Sequence, residues 1–400
     1  MSHAFFPNPH AAGCDAPYGA AQQAVLNADA FAAAMAEISS WPGYAQAPLV
    51  SLPGLAARLG LGAVWWKDES GRFGLGSFKA LGGAYAVWRL LAREIERRMG
   101  TRPAARDVAA GAHRDIAGTV TVTCATDGNH GRSVAWGART FGCRCVIYIH
   151  EGVSEARRAA IAAFGADVVR TPGTYDDSVR RAAEDAAREG RFVVSDTSYP
   201  GYLDVPRDVM QGYAVMADEA LRQLPQGVRP THAFVQAGVG GLAAAVCGHL
   251  WERLGPARPR FVVVEPDKAA CLFLSARAGR PVAAEGDLDT IMAGLACGEV
   301  SLLAWDVLAT GADAFMTVPD AAAIDAMRTL AAGDPPVVAG ESGAAGLAGL
   351  VAAAGDPAAR RALGLDAGSV VLLFGSEGDT DPALYAELVG RPAAAVRAAA

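Results

Sequence analysis

Short β-branched and aromatic runs alternate along the chain with longer segments rich in alanine, leucine and arginine. The runs include Val64–Trp66, Thr119–Thr123, Cys145–Ile149, Phe192–Val194, Ala233–Val235, Phe261–Val264 and Val370–Phe374. Between them, Phe78–Arg98, Ser154–Phe164 and Tyr175–Arg188 have helical character. Strand then helix, repeated, predicts an α/β fold with mostly parallel, helix-covered sheets. Ligands of such sheets sit at the carboxyl ends of strands, in strand-to-helix loops. One segment breaks the rhythm. Gly100 to Gly118 is polar, basic and turn-rich, and reads as a surface insertion. The alanine-rich end, Pro392 to Ala400, reads as a frayed helix.

Composition narrows the class. At 400 residues the chain has room for two or three domains of about 150 residues each. With 52% hydrophobic and 19% charged residues it is not a disordered chain. A net charge of −7 argues against nucleic acid or an anionic membrane as the main partner. No run approaches the roughly 18 apolar residues of a membrane span. The first residues carry neither a basic region nor a long apolar stretch, so no secretory signal is expected. The 7 cysteines are odd in number and scattered, which points to a reducing cytosol rather than a disulfide framework. Cys143 and Cys145 share a strand face, but no second pair follows, so no zinc site is expected. Lysine is scarce: Lys67, Lys79 and Lys268 are the candidates for lysine chemistry.

Four loop regions invite chemistry. Lys79 follows three glycines and a serine, in Gly71-Arg72-Phe73-Gly74-Leu75-Gly76-Ser77-Phe78, at a helix start. There the positive end of the helix dipole disfavours the ammonium, and a neutral amine is what a Schiff base needs. An ordinary solvated lysine at a capped helix start is the alternative. Next, Ala125-Thr126-Asp127-Gly128-Asn129-His130-Gly131 joins a strand to a helix. Its backbone N–H groups would face an anion, and Asn129 adds an amide donor. Asp127 opposes an anion, unless the ligand carries both a carboxylate and an extra cation. An Asp/Asn-rich helix cap explains the loop equally well.

The third loop, Gln236-Ala237-Gly238-Val239-Gly240-Gly241-Leu242, has the glycines that close approach to a phosphate requires. A dinucleotide site competes here. Glu265 lies 24 residues after Gly241, near the spacing of a ribose-binding acid, although the glycines do not follow GxGxxG. Last come Gly340-Glu341-Ser342-Gly343-Ala344-Ala345-Gly346 and Gly375-Ser376-Glu377-Gly378-Asp379-Thr380-Asp381. Ser376, at a strand end, suits a hydrogen bond to a heterocyclic nitrogen.

Together the loops carry a resemblance. The set Gly76-Ser77-Phe78-Lys79, Thr126–Gly131, Gly238–Gly241 and Gly375–Gly378 resembles the tryptophan-synthase-β type (fold type II) of pyridoxal-phosphate enzymes, which includes serine and threonine dehydratases. Finer features resemble the diaminopropionate ammonia-lyases. These are Lys67-Asp68-Glu69-Ser70-Gly71-Arg72-Phe73-Gly74-Leu75, Asp127 in the asparagine loop, Tyr175-Asp176-Asp177, and Asp196-Thr197 followed by Gly201-Tyr202. Met210-Gln211-Gly212-Tyr213, Val264–Ala269 and Ile291–Glu299 continue it, and it runs from about residue 47 to 390.

The resemblance implies two domains, with a small one at 86–206 inserted between two parts of a large one, 1–85 and 207–400. It implies pyridoxal 5'-phosphate held on Lys79 as a Schiff base, its phosphate cradled by Gly238, Val239, Gly240 and Gly241. Asn129 would meet the phenolic oxygen of the ring or the substrate carboxylate, Ser376 the pyridine nitrogen, and Glu341 would also belong to the cofactor's surroundings. Thr126, Asp127, Gly128 and Asp196 would bind substrate, with Lys79, Asp127 and Asp196 catalytic. The implied reaction is elimination of ammonia from D- or L-2,3-diaminopropionate. The alternative is a serine, threonine or hydroxyaspartate dehydratase. Two positions depart from the pattern: Ser376 where threonine is common, and Tyr199-Pro200 where Trp-Glu is expected. The resemblance also implies a homodimer. Of the other lysines, Lys67 is expected to pair with its neighbours Asp68 and Glu69, and Lys268 to be solvated or near the cleft mouth.

Overall fold

The computed structural model describes residues 3–126 and 128–399. Asp127 is therefore outside the described residues. The chain forms two compact units. One comprises Met1–Ala28, Gln46–Gly71 and Met216–Ala400; the other comprises Asp29–Ala45 and Arg72–Val215.

The first unit is built on seven strands: β1 (Ala4–Pro7), β2 (Leu49–Ser51), β3 (Ala63–Asp68), β8 (His232–Gln236), β9 (Arg260–Pro266), β10 (Ala314–Val318) and β11 (Val370–Gly375). Their order is β1-β10-β9-β8-β11-β3-β2. The five inner strands are parallel, and β1 and β2 close the edges antiparallel. Parallel strands covered on both faces are apolar throughout. Accordingly β8 and β10 are buried at every residue. The core gathers Trp66, Phe234, Val262, Val264, Met316, Leu350 and Leu373.

The second unit carries β4 (Thr121–Ala125), β5 (Arg144–His150), β6 (Asp167–Thr171) and β7 (Phe192–Val193), all parallel, in the order β6-β5-β4-β7. Two helices, Ala80–Met99 and Asn129–Phe141, pack closely because glycine stands where they touch. A Cβ on Gly83 would lie 2.0 Å from Ser133 Oγ, and one on Gly137 2.8 Å from Ala84 Cα. Trp41, Phe73, Trp136 and Phe141 cluster beside them, with Phe73 and Trp136 ring centroids 4.8 Å apart.

All seven expected strands are present, within two residues at either end. The structure adds β1, β2, β6 and β10. The segment from Gly100 to Gly118 holds two short helices, Ala105–Ala109 and Arg114–Ala117, which bury Ala105, Val108, Ile116 and Ala117. The C-terminal segment departs from the expected frayed end. Its helix Ala393–Arg397 buries Ala393 and Val396 in the core of the first unit. No helix among the described residues is long and apolar enough to cross a membrane.

Candidate active site

In the second unit, Lys79 stands at the N-cap of the helix Ala80–Met99. Its Nζ donates to Asp196 Oδ2 over 2.7 Å, and both side chains are largely buried. Asp196 lies just beyond β7. Tyr202 braces that segment: its hydroxyl donates to the Val193 carbonyl over 2.9 Å and accepts the Ser195 N–H over 3.0 Å. The Tyr202 ring stacks on Tyr199, centroids 4.9 Å apart. Burial alone would raise the Asp196 pKa, but Lys79 and then His130 outweigh it and hold the carboxyl well below the usual range.

His130 completes this group. Its Nε2 lies 2.8 Å from the Val194 carbonyl, and its Nδ1 is 3.8 Å from Asp196 Oδ2. Because a carbonyl only accepts, Nε2 carries a proton. Burial depresses the imidazole pKa, against the pull of Asp196. Phe78 and Tyr213 flank the lysine on another side, their ring centroids 5.3 and 5.7 Å from Nζ.

The loop after β4 is organised by Thr126. Its Oγ1 accepts the N–H groups of Gly128 and Gly131, each over 3.0 Å, while Asn129 opens the helix Asn129–Phe141. Thus the Thr126 side chain shapes the loop that presents Asn129. A Cβ on Gly131 would lie 2.3 Å from Thr126 Cγ2, so this packing demands glycine.

In the first unit, Gly238 to Gly241 link β8 to the helix Gly241–Leu254. Gly240 has φ +101°, a conformation that suits glycine. A Cβ on Gly238 would fall 2.8 Å from Cys297 Sγ and 3.2 Å from Leu295 Cα. The Val239 carbonyl is tied to the Ser301 N–H over 2.9 Å. The loop is a backbone cradle at a helix N-terminus, the arrangement that receives an anion.

Ser376 follows β11 and is buried. Gln236, which ends β8, places its Nε2 2.7 Å from the Phe374 carbonyl and 2.7 Å from Ser376 Oγ. The carbonyl fixes which end of the amide points there, so Ser376 accepts from it. The serine keeps its own proton for another acceptor. Glu341 is buried in the turn before the helix Ala345–Gly355. The Ser342 N–H beside it donates to Glu377 Oε1 over 3.0 Å.

One competing reading of the sequence does not hold. Glu265 does not present its carboxylate to a ribose. It is fully buried and accepts the N–H groups of Leu272 and Phe273 over 2.8 and 2.6 Å. Both oxygens are committed to the start of the helix Cys271–Ala278, which removes the dinucleotide reading of this loop. Lys67 is fully buried and donates to Glu219 over 2.7 Å, to Gln223 over 2.8 Å and to the Ala47 carbonyl over 2.6 Å, partners distant in the chain. Lys268 is exposed. All 7 cysteines are free thiols, with Cys271 buried and Cys297 half-buried.

Residues 40–375 match the family described as pyridoxal-phosphate dependent enzyme. The chain belongs to this family. Its members' cofactor offers an aldehyde, a phosphate and a pyridine nitrogen. Taken by itself, the second unit offers an amine at Lys79 that suits the aldehyde, and the first unit offers a cradle closed to any Cβ at Gly238 and a serine with a proton to donate at Ser376, which suit the phosphate and the pyridine nitrogen. Among family members, the diaminopropionate ammonia-lyase of Escherichia coli strain K12 is 42% identical over 354 residues, covering 87% of this chain and 88% of the relative. That of Salmonella typhimurium strain LT2 is 41% identical over 360 residues, covering 87% and 89%. The crystal structure of the Escherichia coli enzyme in complex with D-serine superposes with a TM-score of 0.87, at 36% identity, over 100% of this chain and 99% of that one. The same enzyme with an aminoacrylate-PLP azomethine reaction intermediate gives a TM-score of 0.84, at 36% identity, over 97% of each chain. The fold is therefore that of the fold type II pyridoxal-phosphate enzymes.

His130, Tyr213 and Gln236 were not singled out by sequence. Each lies inside a quoted motif, but its role depends on a partner distant in the chain.

Proposed function

We propose that this chain is a pyridoxal-phosphate-dependent ammonia-lyase. It converts 2,3-diaminopropionate and water to pyruvate and two ammonia. The observation that carries this reading is the buried Lys79–Asp196 pair, joined to relatives 41–42% identical that bear this activity's name.

When bound, the cofactor supplies an electron-poor ring that takes up the electron pair left at Cα. The chain's residues do the rest. Lys79 is the amine that holds the cofactor, and once released it is a proton carrier. Gly238 to Gly241 receive the phosphate with backbone N–H groups, and Ser376 donates to the pyridine nitrogen. A neutral partner there favours elimination over chemistry that needs a fully protonated ring. Asn129 meets the ring's phenolic oxygen or the substrate carboxylate, and Glu341 belongs to the cofactor's surroundings. Thr126 and Gly128 hold the loop against the substrate. Asp127 pairs with the substrate's β-ammonium, a charge-assisted bond that a hydroxyl substrate cannot replace. It also serves as the base on the face opposite Lys79, so that both isomers react. Asp196 attracts the substrate amine. The β-amine leaves as ammonia, and free 2-aminoacrylate takes up water to give pyruvate and a second ammonia. On this reading the protein works in the cytosol as a homodimer.

The test begins with a visible spectrum of purified protein, followed by borohydride reduction and peptide mapping. A phosphopyridoxyl group on Lys79 supports the lysine assignment; the same group on Lys67 or Lys268 sinks it. D- and then L-2,3-diaminopropionate are added with a pyruvate assay. Pyruvate from serine or threonine but not from either isomer would favour the dehydratase.

A further inference from the structure

Lys79 must alternate between an ammonium and a free amine, and Asp196 suits only one of these forms. A carboxylate 2.7 Å away accepts from an ammonium and stabilises it. A free amine needs a donor aimed at its lone pair. The second unit sets a buried phenol near the amine. The Tyr213 ring centroid is 5.7 Å from Lys79 Nζ and 4.6 Å from the Phe78 ring centroid. Its hydroxyl is buried and has no partner at hydrogen-bonding geometry among the described residues.

The position is built, not incidental. A Cβ on Gly82 would lie 2.3 Å from Tyr213 Cε1, and one on Gly212 would lie 1.8 Å from the Leu81 carbonyl oxygen. Glycine at both places lets the helix Asp204–Gln223 approach the lysine helix closely enough to set the phenol beside Lys79. A buried polar group without a partner is costly, and that cost is recovered when a partner turns toward it. The amine of Lys79, on a flexible four-carbon stem, is within reach of such a turn.

We infer that Tyr213 is a positioning residue for Lys79, donating its hydroxyl proton in a hydrogen bond to the neutral amine, while Asp196 binds the ammonium. The proton is available at working pH. Burial pushes the phenol pKa up, Lys79 opposes this and Asp196 reinforces it. Among the described residues, the other ionisable groups facing this point are His130, 3.8 Å from Asp196, the Cys124 thiol at the end of β4, and the Tyr202 phenol, whose proton goes to the Val193 carbonyl. None of them replaces the Tyr213 phenol. His130 spends its Nε2 proton on Val194, and Cys124 is a weak donor.

The inference rests on Lys79 as the cofactor lysine, but its test does not need the cofactor. With three lysines in the chain, each amine can be followed separately. Full-length apoenzyme is trace-labelled with acetic anhydride from pH 5 to 11, and the acetylated peptides of Lys79 and exposed Lys268 are quantified by mass spectrometry. In Tyr213→Phe the ring packing on Phe78 is kept and the hydroxyl is lost. The midpoint for Lys79 should rise by about one pH unit, or about tenfold lower reactivity near pH 7.5. Lys268 should not move. In Asp196→Asn the Lys79 midpoint should fall, and adding Tyr213→Phe should raise it again. If Tyr213→Phe does not fold, replacing all 9 tyrosines with 3-fluorotyrosine gives a more acidic donor of nearly the same shape and should lower the midpoint. A Lys79 midpoint that stays fixed in folded Tyr213→Phe, or falls, overturns the inference. A phosphopyridoxyl group mapped elsewhere than Lys79 sinks the cofactor assignment and leaves the labelling result standing.

Discussion

The side-chain amide of Gln236 donates to the hydroxyl of Ser376 over 2.7 Å, while the Phe374 carbonyl holds that amide in place. Ser376 is thereby an acceptor toward Gln236 and keeps its own proton for another acceptor, on the proposed reading the cofactor's pyridine nitrogen. Replacing it with alanine should weaken pyridoxal-phosphate binding about threefold to tenfold, the scale of one neutral hydrogen bond. Ser376→Thr should bind nearly as well as wild type. Titration of apoenzyme with cofactor, followed by the visible band, reads both. Equal affinity in Ser376→Ala would remove the serine from the cofactor's surroundings.

On the proposed reading, the charge of Asp127 separates a diamine substrate from a hydroxy amino acid. Asp127→Asn should lower kcat/KM for D-2,3-diaminopropionate by about 10²–10⁴, the range of a lost general base. The L isomer should lose less, because Lys79 serves its face. Steady-state kinetics on both isomers check this. Full activity on the D isomer in Asp127→Asn would show that the base is another group.

Lys67 is buried with three oxygen partners, and its ammonium neutralises Glu219. Lys67→Met should cost about 3–5 kcal/mol of stability, because it leaves a carboxylate buried without its cation. Urea unfolding measures the loss. The protein that remains folded should still show the cofactor's visible band. A stable variant without the band would make Lys67, not Lys79, the amine of interest.

Glu265 gives a pH signature. Burial pushes its pKa up to about 8, although two backbone N–H groups favour the charged form. An ordinary glutamate titrates near 4.3 when unfolded, so between about pH 4.3 and 8 the folded state holds the extra proton. Folding stability from this group is complete below about pH 4, declines as pH rises, and is lost once pH passes about 8. Glu265→Gln should flatten that part of the stability profile, becoming more stable relative to wild type at pH 8.5 than at pH 5. Chemical denaturation across the range tests it; parallel profiles would contradict the buried, protonated state.

The parts of the fold and site that were legible in sequence are those whose signal is local. Lys79 at a helix start and the glycines from 238 to 241 announce themselves within a few residues, because turns and close approaches need particular residue types. The central strands β8, β9 and β11 were legible as β-branched runs. β10 was not. Four apolar residues and the buried Thr317 carry no period that separates a buried strand from a helix segment. β6 was missed for the opposite reason: three of its five residues are exposed at the sheet edge, so little apolar pattern remains. The Glu219 partner of Lys67 was not legible because it lies 152 residues away. His130 and Tyr213 share that difficulty. What each does depends on Lys79 and Asp196, which are themselves 117 residues apart.

The central claim is tested most directly by the ratio of ammonia to pyruvate released from 2,3-diaminopropionate by the purified holoenzyme. The account predicts two ammonia for each pyruvate, and no product from Lys79→Ala. A protein that shows the cofactor band yet releases no pyruvate from either isomer would contradict it.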